Sequence, residues 1–329
     1  MQTTNNLDIK NARQHIEADL KELIEKHSYQ NFFHEIYDYS LLPAGKLFRP
    51  LLAYATAMDF GINLDNKDAH NSIKSFSCAL EIHHTYTLIH DDMPCMDDDQ
   101  YRRGRLSTHA KFGQWQALLA GDALHGLSFN LINKIKCNNK YEILNYAHWC
   151  LGAKGLILGQ ALDLDHQMTE SFENLVLTHK LKTARLIQLA IVGAYLQTEN
   201  TTFQQAKALH RLGHHMGVAF QLLDDLCELE DEKLSEHESV VNPWLTRQTQ
   251  CFNELKRNLE YQKHFFEKYG CENLRFVYGQ YLGKILSIIE NSKETIISHL
   301  SQLKNEEDVE TAQAASLDPI ISLLNTLTL

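Results

Sequence analysis

An all-α fold is predicted for this chain of 329 residues by three observations. Apolar residues recur at intervals of three and four over long stretches, the period of a helix with one buried face. Only 5 prolines and 15 glycines interrupt the sequence, and a hydrophobic content of 44% is carried largely by helix-forming Leu and Ala. The length allows one large domain or two at roughly 100–200 residues each. No linker-like stretch divides the chain, so a single helical domain over 1–329 is expected.

The first well-marked helix is 71–92, where Ile73, Phe76, Leu80, His84 and Leu88 form one stripe. Asp91 stands two turns after His84 on the same side. Pro94 has no N–H and disfavours helical geometry in Met93, so the helix should break there and let Asp97 swing back toward Asp91. Residues 114–135 and 146–165 read as further apolar helices. In 206–230, Leu209, Leu212, Met216, Phe220 and Leu223 line one face, while Gln221, Asp224, Asp225 and Glu228 share another. Residues 231–250 are polar, contain Pro243, and read as a long loop or lid.

Composition narrows the function. A formal net charge of −11 argues against a nucleic-acid partner, because such proteins need a basic face to replace counterions. The seven cysteines include no CxxC pair, which suggests neither a zinc site nor a disulfide framework and fits a reducing cytoplasm. The first residues lack the apolar core of a signal peptide. The longest apolar run, Leu186 to Leu196, is shorter than the ~20 residues of a membrane span. A soluble, cytoplasmic protein with no membrane span is expected.

Two aspartate clusters carry the chemistry. Asp91-Asp92-Met93-Pro94-Cys95-Met96-Asp97-Asp98-Asp99 and Asp224-Asp225-Leu226-Cys227-Glu228 each end an apolar helix. Carboxylates packed this densely repel one another and are tolerated mainly where hard cations such as magnesium neutralise them. The negative end of the helix dipole strengthens that argument for the second cluster. Arg102-Arg103-Gly104-Arg105 follows the first cluster at once and supplies anion-binding forks.

Four segments now stand in order: Gly45-Lys46-Leu47-Phe48-Arg49-Pro50, the first aspartate cluster with its arginines, Lys182-Thr183, and Phe220-Gln221-Leu222-Leu223-Asp224-Asp225. From about residue 40 to 230 the chain resembles the trans-prenyl diphosphate synthases, most closely the bacterial farnesyl diphosphate synthase branch. The resemblance implies an isoprenoid-synthase bundle around a deep central cavity with both clusters at its mouth. It implies that Asp91, Asp97 and Asp224 hold Mg2+ ions bridging to an allylic diphosphate, with Asp92, Asp225 and Glu228 supporting them. Arg102 would stabilise the departing diphosphate, and Lys182, Thr183 and Gln221 would contact the allylic substrate and flank its cation. Isopentenyl diphosphate would be held by Gly45, Lys46, Arg49, His84 and Arg103. Taken alone, Lys46 and Arg49 are ordinary surface charges and His84 an ordinary core histidine; only their order in the pattern promotes them. A homodimer is implied by the same resemblance.

Tyr86 and Thr87 lie five and four residues before Asp91, roughly 6–7.5 Å below the metal site at ~1.5 Å rise per residue. In the family an aromatic side chain there floors the pocket for the growing tail, so Tyr86 points to a fifteen-carbon product. Three departures qualify the pattern. Glu228 replaces the usual Asp, Ala184 replaces a usual Gly and is expected to narrow the pocket slightly, and 231–250 offers only Lys233 and Arg247 where the family closes lysines over the allylic diphosphate. These leave three other readings: a longer-chain geranylgeranyl synthase, a class I terpene cyclase, and a non-catalytic subunit of a heteromeric synthase.

Overall fold

The structure is a computed structural model that describes residues 9–28, 31–231, 234, 242–302 and 316–328. Contacts gather the chain into two compact units, 1–147 with 192–201, and 148–191 with 202–329. Helices dominate both, as the apolar periodicity predicts.

In the first unit, α1 (Ile9–Ser28) buries Ala12, Ile16, Leu20 and Ile24, a repeat of four that keeps one face inward. Then follow α2 (His34–Leu41), α3 (Phe48–Asp59) and α4 (Lys67–Asp91). The Asn66 side chain caps α4 by accepting from the amides of Asp68 and Ala69, so this helix begins four residues before the start expected at residue 71. Lys74 of α4 is paired with Asp19 and Glu22 of α1 at 2.7 and 2.8 Å. Ile73, Phe76 and Leu80 are fully buried, each contributing roughly 2 kcal/mol of apolar burial. Gly193 is needed opposite Phe76, because a Cβ there would stand 2.3 Å from the ring.

Among the described residues the only strands are β1 (Tyr101–Arg102) and β2 (Arg105–Leu106), one antiparallel pair. Arg103 and Gly104 turn the hairpin with φ of 56° and 77°, the positive values a two-residue connection requires. Then come α5 (Thr108–Phe112), α6 (Gln114–Asn133) and α7 (Lys140–Leu151). The helix expected over 146–165 is two helices, α7 and α8 (Leu156–Leu164). The break lies at Gly152 and Gly155, where a Cβ on Gly155 would meet the Cys150 carbonyl oxygen at 2.0 Å.

The second unit continues with a 3-10 turn (Gln167–Thr169), α9 (Phe172–His179), a π-helical turn (Lys180–Ala184) and α10 (Arg185–Tyr195), whose residues from Val192 onward belong to the first unit. α11 (Phe203–Cys227) is capped by Thr202 and ends in a 3-10 turn (Glu228–Glu230). Short α12 (Pro243–Thr246), then α13 (Gln248–Tyr269), α14 (Glu272–Asn291), α15 (Lys293–Gln302) and α16 (Asp318–Thr328) complete it. Of the loop expected over 231–250, residues 232–233 and 235–241 lie outside the described residues, Lys233 among them. Its C-terminal part is helical rather than loop: Asn242 accepts from the Trp244 amide at 3.0 Å with Pro243 in the first helical position, where its missing N–H costs nothing. No helix among the described residues is long and apolar enough to cross a membrane.

Candidate active site

In the first unit the site is organised by arginines. α4 ends at Asp91, and the turn around Pro94 returns the chain so that the Asp97 amide donates to the Asp91 carbonyl at 3.0 Å. The predicted return of Asp97 is thus made by the backbone. Asp91 is half-buried and Asp97 exposed. Asp92, at 2% exposure, points inward and accepts from Arg102 at both guanidinium positions, the Nε at 2.9 Å; Arg102 also reaches Asp99 at 3.0 Å. Burial pushes the Asp92 carboxyl up while Arg102 pulls it back.

Gly45 and Arg103 are brought together. A Cβ on Gly45 would stand 2.4–2.7 Å from the Arg103 guanidinium, so a larger residue there would displace the end of the Arg103 side chain. Burial holds His84 well below its ordinary range, and Arg49 and Arg103 add to the shift, which places both cations within electrostatic reach of a neutral ring. Tyr86 is 9% exposed and wedged between rings: His83 at 4.7 Å, His125 of α6 at 4.9 Å and His90 at 5.2 Å between centroids. The Thr87 hydroxyl is turned back onto the His84 carbonyl at 2.8 Å.

Two residues here escape sequence reasoning. Arg13 of α1 donates to three successive carbonyls, those of Ala44, Gly45 and Lys46, at 3.3, 2.7 and 3.3 Å, and so straps the loop that carries Gly45 and Lys46. Glu81 is 3% exposed in α4 and lies in the field of Arg49, Arg103 and Arg13, which oppose the upward push of burial on its carboxyl. A lone glutamate in the apolar run Ala79-Leu80-Glu81-Ile82 was its only sequence signal.

In the second unit the organisation is different. Lys182 and Thr183 sit on the π-helical turn, a local widening common at functional sites. Asp163 of α8 holds the Lys182 ammonium at 2.5 Å, and Gly159 lets α8 approach, since a Cβ there would stand 2.3 Å from the Lys182 amide. The Thr183 hydroxyl donates to Gln221 at 3.0 Å, and Gln221 donates onward to Asp225 at 2.9 Å. The Ala184 side chain is fully buried and packs close to Gly217 of α11.

The acidic face expected on α11 is only partly open. Asp224 is half-buried and Glu228 exposed, but Asp225 is 7% exposed. Burial drives its carboxyl well above the usual range, with Glu228, Asp224 and Asp163 adding to the rise. The neighbouring His179 Nε2 stands 3.7 Å away, yet burial lowers that imidazole to about 4. Burial thus disfavours the charged form of both groups at this contact. Asn242 ties the segment after the motif to it, donating to the Asp225 carbonyl at 2.7 Å and to Glu228 at 3.2 Å. Arg247 is spent on the carbonyls of Met168 and Thr169.

The donor set is one of hard oxygens, and the buried Asp225 Oδ2 has no hydrogen-bond partner. Both features fit a magnesium ion. Among the described residues no three His, Cys, Asp or Glu side chains stand close enough to cage a metal by themselves.

The model of the polyprenyl synthetase family matches residues 30–240, from the strapped loop through both carboxylate motifs. The chain belongs to the polyprenyl synthetase family. Among its relatives, the farnesyl diphosphate synthase of Micrococcus luteus is 39% identical over 207 residues, covering 62% of this polyprenyl synthetase and 69% of the relative. The farnesyl diphosphate synthase of Bacillus subtilis is 32% identical over 256 residues, covering 75% and 83%. The fold matches that of a geranyltransferase from Legionella pneumophila with a TM-score of 0.70 at 24% identity, covering 88% of this chain and 96% of the other.

Proposed function

We propose that this polyprenyl synthetase is a magnesium-dependent prenyltransferase that condenses isopentenyl diphosphate with dimethylallyl or geranyl diphosphate to give farnesyl diphosphate. What supports the reading is the presence in one chain of two Asp-Asp helix ends and a glycine-arginine cradle, in a family whose relatives include farnesyl diphosphate synthases 32 and 39% identical to it. Asp91 and Asp97 of the first unit and Asp224 of the second would hold magnesium, with Asp92, Asp225 and Glu228 supporting them. Bound magnesium neutralises the charge that grows on the departing diphosphate.

The chain's own residues divide the rest. Lys182, aimed by Asp163, binds the allylic diphosphate. Thr183 and Gln221, locked to each other, present a hydroxyl and an amide oxygen toward an allylic cation without a nucleophile strong enough to trap it. Lys46, Arg49 and Arg103, with neutral His84 and the Gly45 backbone, bind isopentenyl diphosphate. The allylic carbon–oxygen bond breaks with its electron pair leaving on the diphosphate. The isopentenyl double bond supplies the pair for the new carbon–carbon bond, and a proton then departs to the released diphosphate. Tyr86, held between His83 and His125, floors the space for the tail. Cytoplasmic location and a homodimer belong to the same proposal. The exposed apolar stripe of Trp115, Leu118 and Leu119 on α6, with Phe32 stacked on Trp115 at 5.4 Å, supports a second copy as partner.

The deciding experiment supplies purified protein with magnesium, labelled isopentenyl diphosphate and each of dimethylallyl, geranyl and farnesyl diphosphate, and separates the dephosphorylated products. Farnesol from the first two, with little extension of the third, is expected. Tyr86→Ala should shift the product to twenty carbons or more with turnover largely kept. Absence of any condensation sinks the reading, and unchanged chain length in the variant removes Tyr86 from the floor.

A further inference from the structure

The second unit contains a cavity of about 340 Å³ between α11 and α13 that the proposed reaction does not use. It falls in the size range of small-ligand pockets. Each helix supplies one face at helical spacing: Lys207 and Arg211 from α11, and Tyr261, Phe265 and Lys268 from α13, with Tyr269 at the edge. No carboxylate lines it. Tyr261, Phe265 and Tyr269 give it rings, and Lys207, Arg211 and Lys268 are exposed to solvent.

Its charges differ from the others on the same helix. Lys256 and Lys263 of α13 are each matched by a glutamate four residues on, Glu260 at 3.9 Å and Glu267 at 4.0 Å. Lys207, Arg211 and Lys268 form no ion pair among the described residues, and Lys268 lies instead 5.0 Å over the Tyr269 ring. Three uncompensated cations around one cavity are conspicuous in a chain with a net charge of −11. The cavity floor is rigid: Tyr261 is stacked at 3.9 Å on His215, which in turn is fixed by Asn258 at 2.7 Å. Arg211 and Lys268 also act on the Tyr261 phenol, opposing the upward push of burial.

We propose that this cavity binds an amphiphilic phosphate ester, with the phosphate or diphosphate head on Lys207, Arg211 and Lys268 and an apolar body against Tyr261, Phe265 and Tyr269. Each head can donate charge-assisted hydrogen bonds to phosphate oxygens, and the rings offer the body a dry wall. No metal takes part, because the cations belong to the chain.

The test uses the full chain in EDTA with farnesyl diphosphate as probe, read by amide hydrogen exchange. Saturable protection of 203–211 and 261–269 is expected. Arg211→Glu with Lys268→Glu should weaken that protection at least about tenfold while magnesium-dependent turnover stays at the parent value. Protection elsewhere only, or protection that survives the double reversal, overturns the site. Equal protection by inorganic diphosphate overturns the apolar part of the ligand, and stronger protection by adenosine monophosphate overturns it in favour of a nucleotide. Because the readout is local, a failed condensation assay would leave this result standing; should the double variant not fold, protection in the parent chain alone decides.

Discussion

The two Asp-Asp motifs look alike in sequence, yet their second aspartates meet opposite fates. Asp92 and Asp225 both turn inward, at 2% and 7% exposure. Asp92 is matched by a cation the chain carries, Arg102. Among the described residues Asp225 is met by the Gln221 amide and by His179, and one of its oxygens has no hydrogen-bond partner there. One carboxylate is thus compensated by the fold itself. The other has no such cation among the described residues, so its burial is the less compensated of the two.

The largest effect should come from the outer aspartates. Asp91→Ala and Asp224→Ala should each lower turnover at least about 10³-fold, the scale of losing a main source of transition-state charge stabilisation; steady-state kinetics at saturating magnesium would show it. Residual activity above a tenth of the parent in either variant would break the equivalence of the two motifs.

The inner pair sharpens the contrast. Arg102→Ala strands Asp92 and should cost about 2 kcal/mol of stability, below the full buried-pair penalty because the guanidinium is partly in water. Asp225→Asn removes a carboxylate that lacks a cation and should raise the melting temperature in EDTA while lowering turnover. Equal destabilisation by both would erase the distinction.

Positioning by partners offers a milder test. Asp163→Ala frees Lys182 and should raise KM for the allylic substrate about tenfold, whereas Arg13→Ala loosens the 44–46 loop and should raise KM for isopentenyl diphosphate by a similar or smaller factor, each leaving kcat within about threefold. Crossed effects on the two substrates would show that the halves are not separable.

The smallest effect is titration of buried histidines. Burial lowers His83 in the first unit to about 3 and His214 in the second to about 3. Their folded values lie below the unfolded ~6.5, so the unfolded chain binds more protons between those limits and stability falls as pH drops from 6.5 toward 3. Thermal melts of His83→Gln and His214→Gln across that window should each show a shallower acid slope than the parent chain.

The helices were legible because burial imposes a period on local sequence. Ile73, Phe76 and Leu80, and Leu209, Leu212 and Met216, are buried where the stripe places them. The kink at Pro94 followed from a missing N–H. Arg13, Glu81, Asp163, His179 and Asn242 were not legible as site residues, since each acts on a partner distant in sequence and carries no local pattern. The split at Gly152 and Gly155 escaped because an isolated glycine is compatible with a continuing helix until a specific carbonyl crowds it.

By itself, then, the sequence determined the helical class, the order of the motifs and the residue types gathered in each, all of which depend on neighbours within a few turns. Only the tertiary structure decided which charge meets which. It gave Asp92 an arginine, set Asp225 beside Gln221 and His179, turned Ala184 onto Gly217, and spent Arg247 on two carbonyls, because electrostatic compensation and packing are set by distance in space.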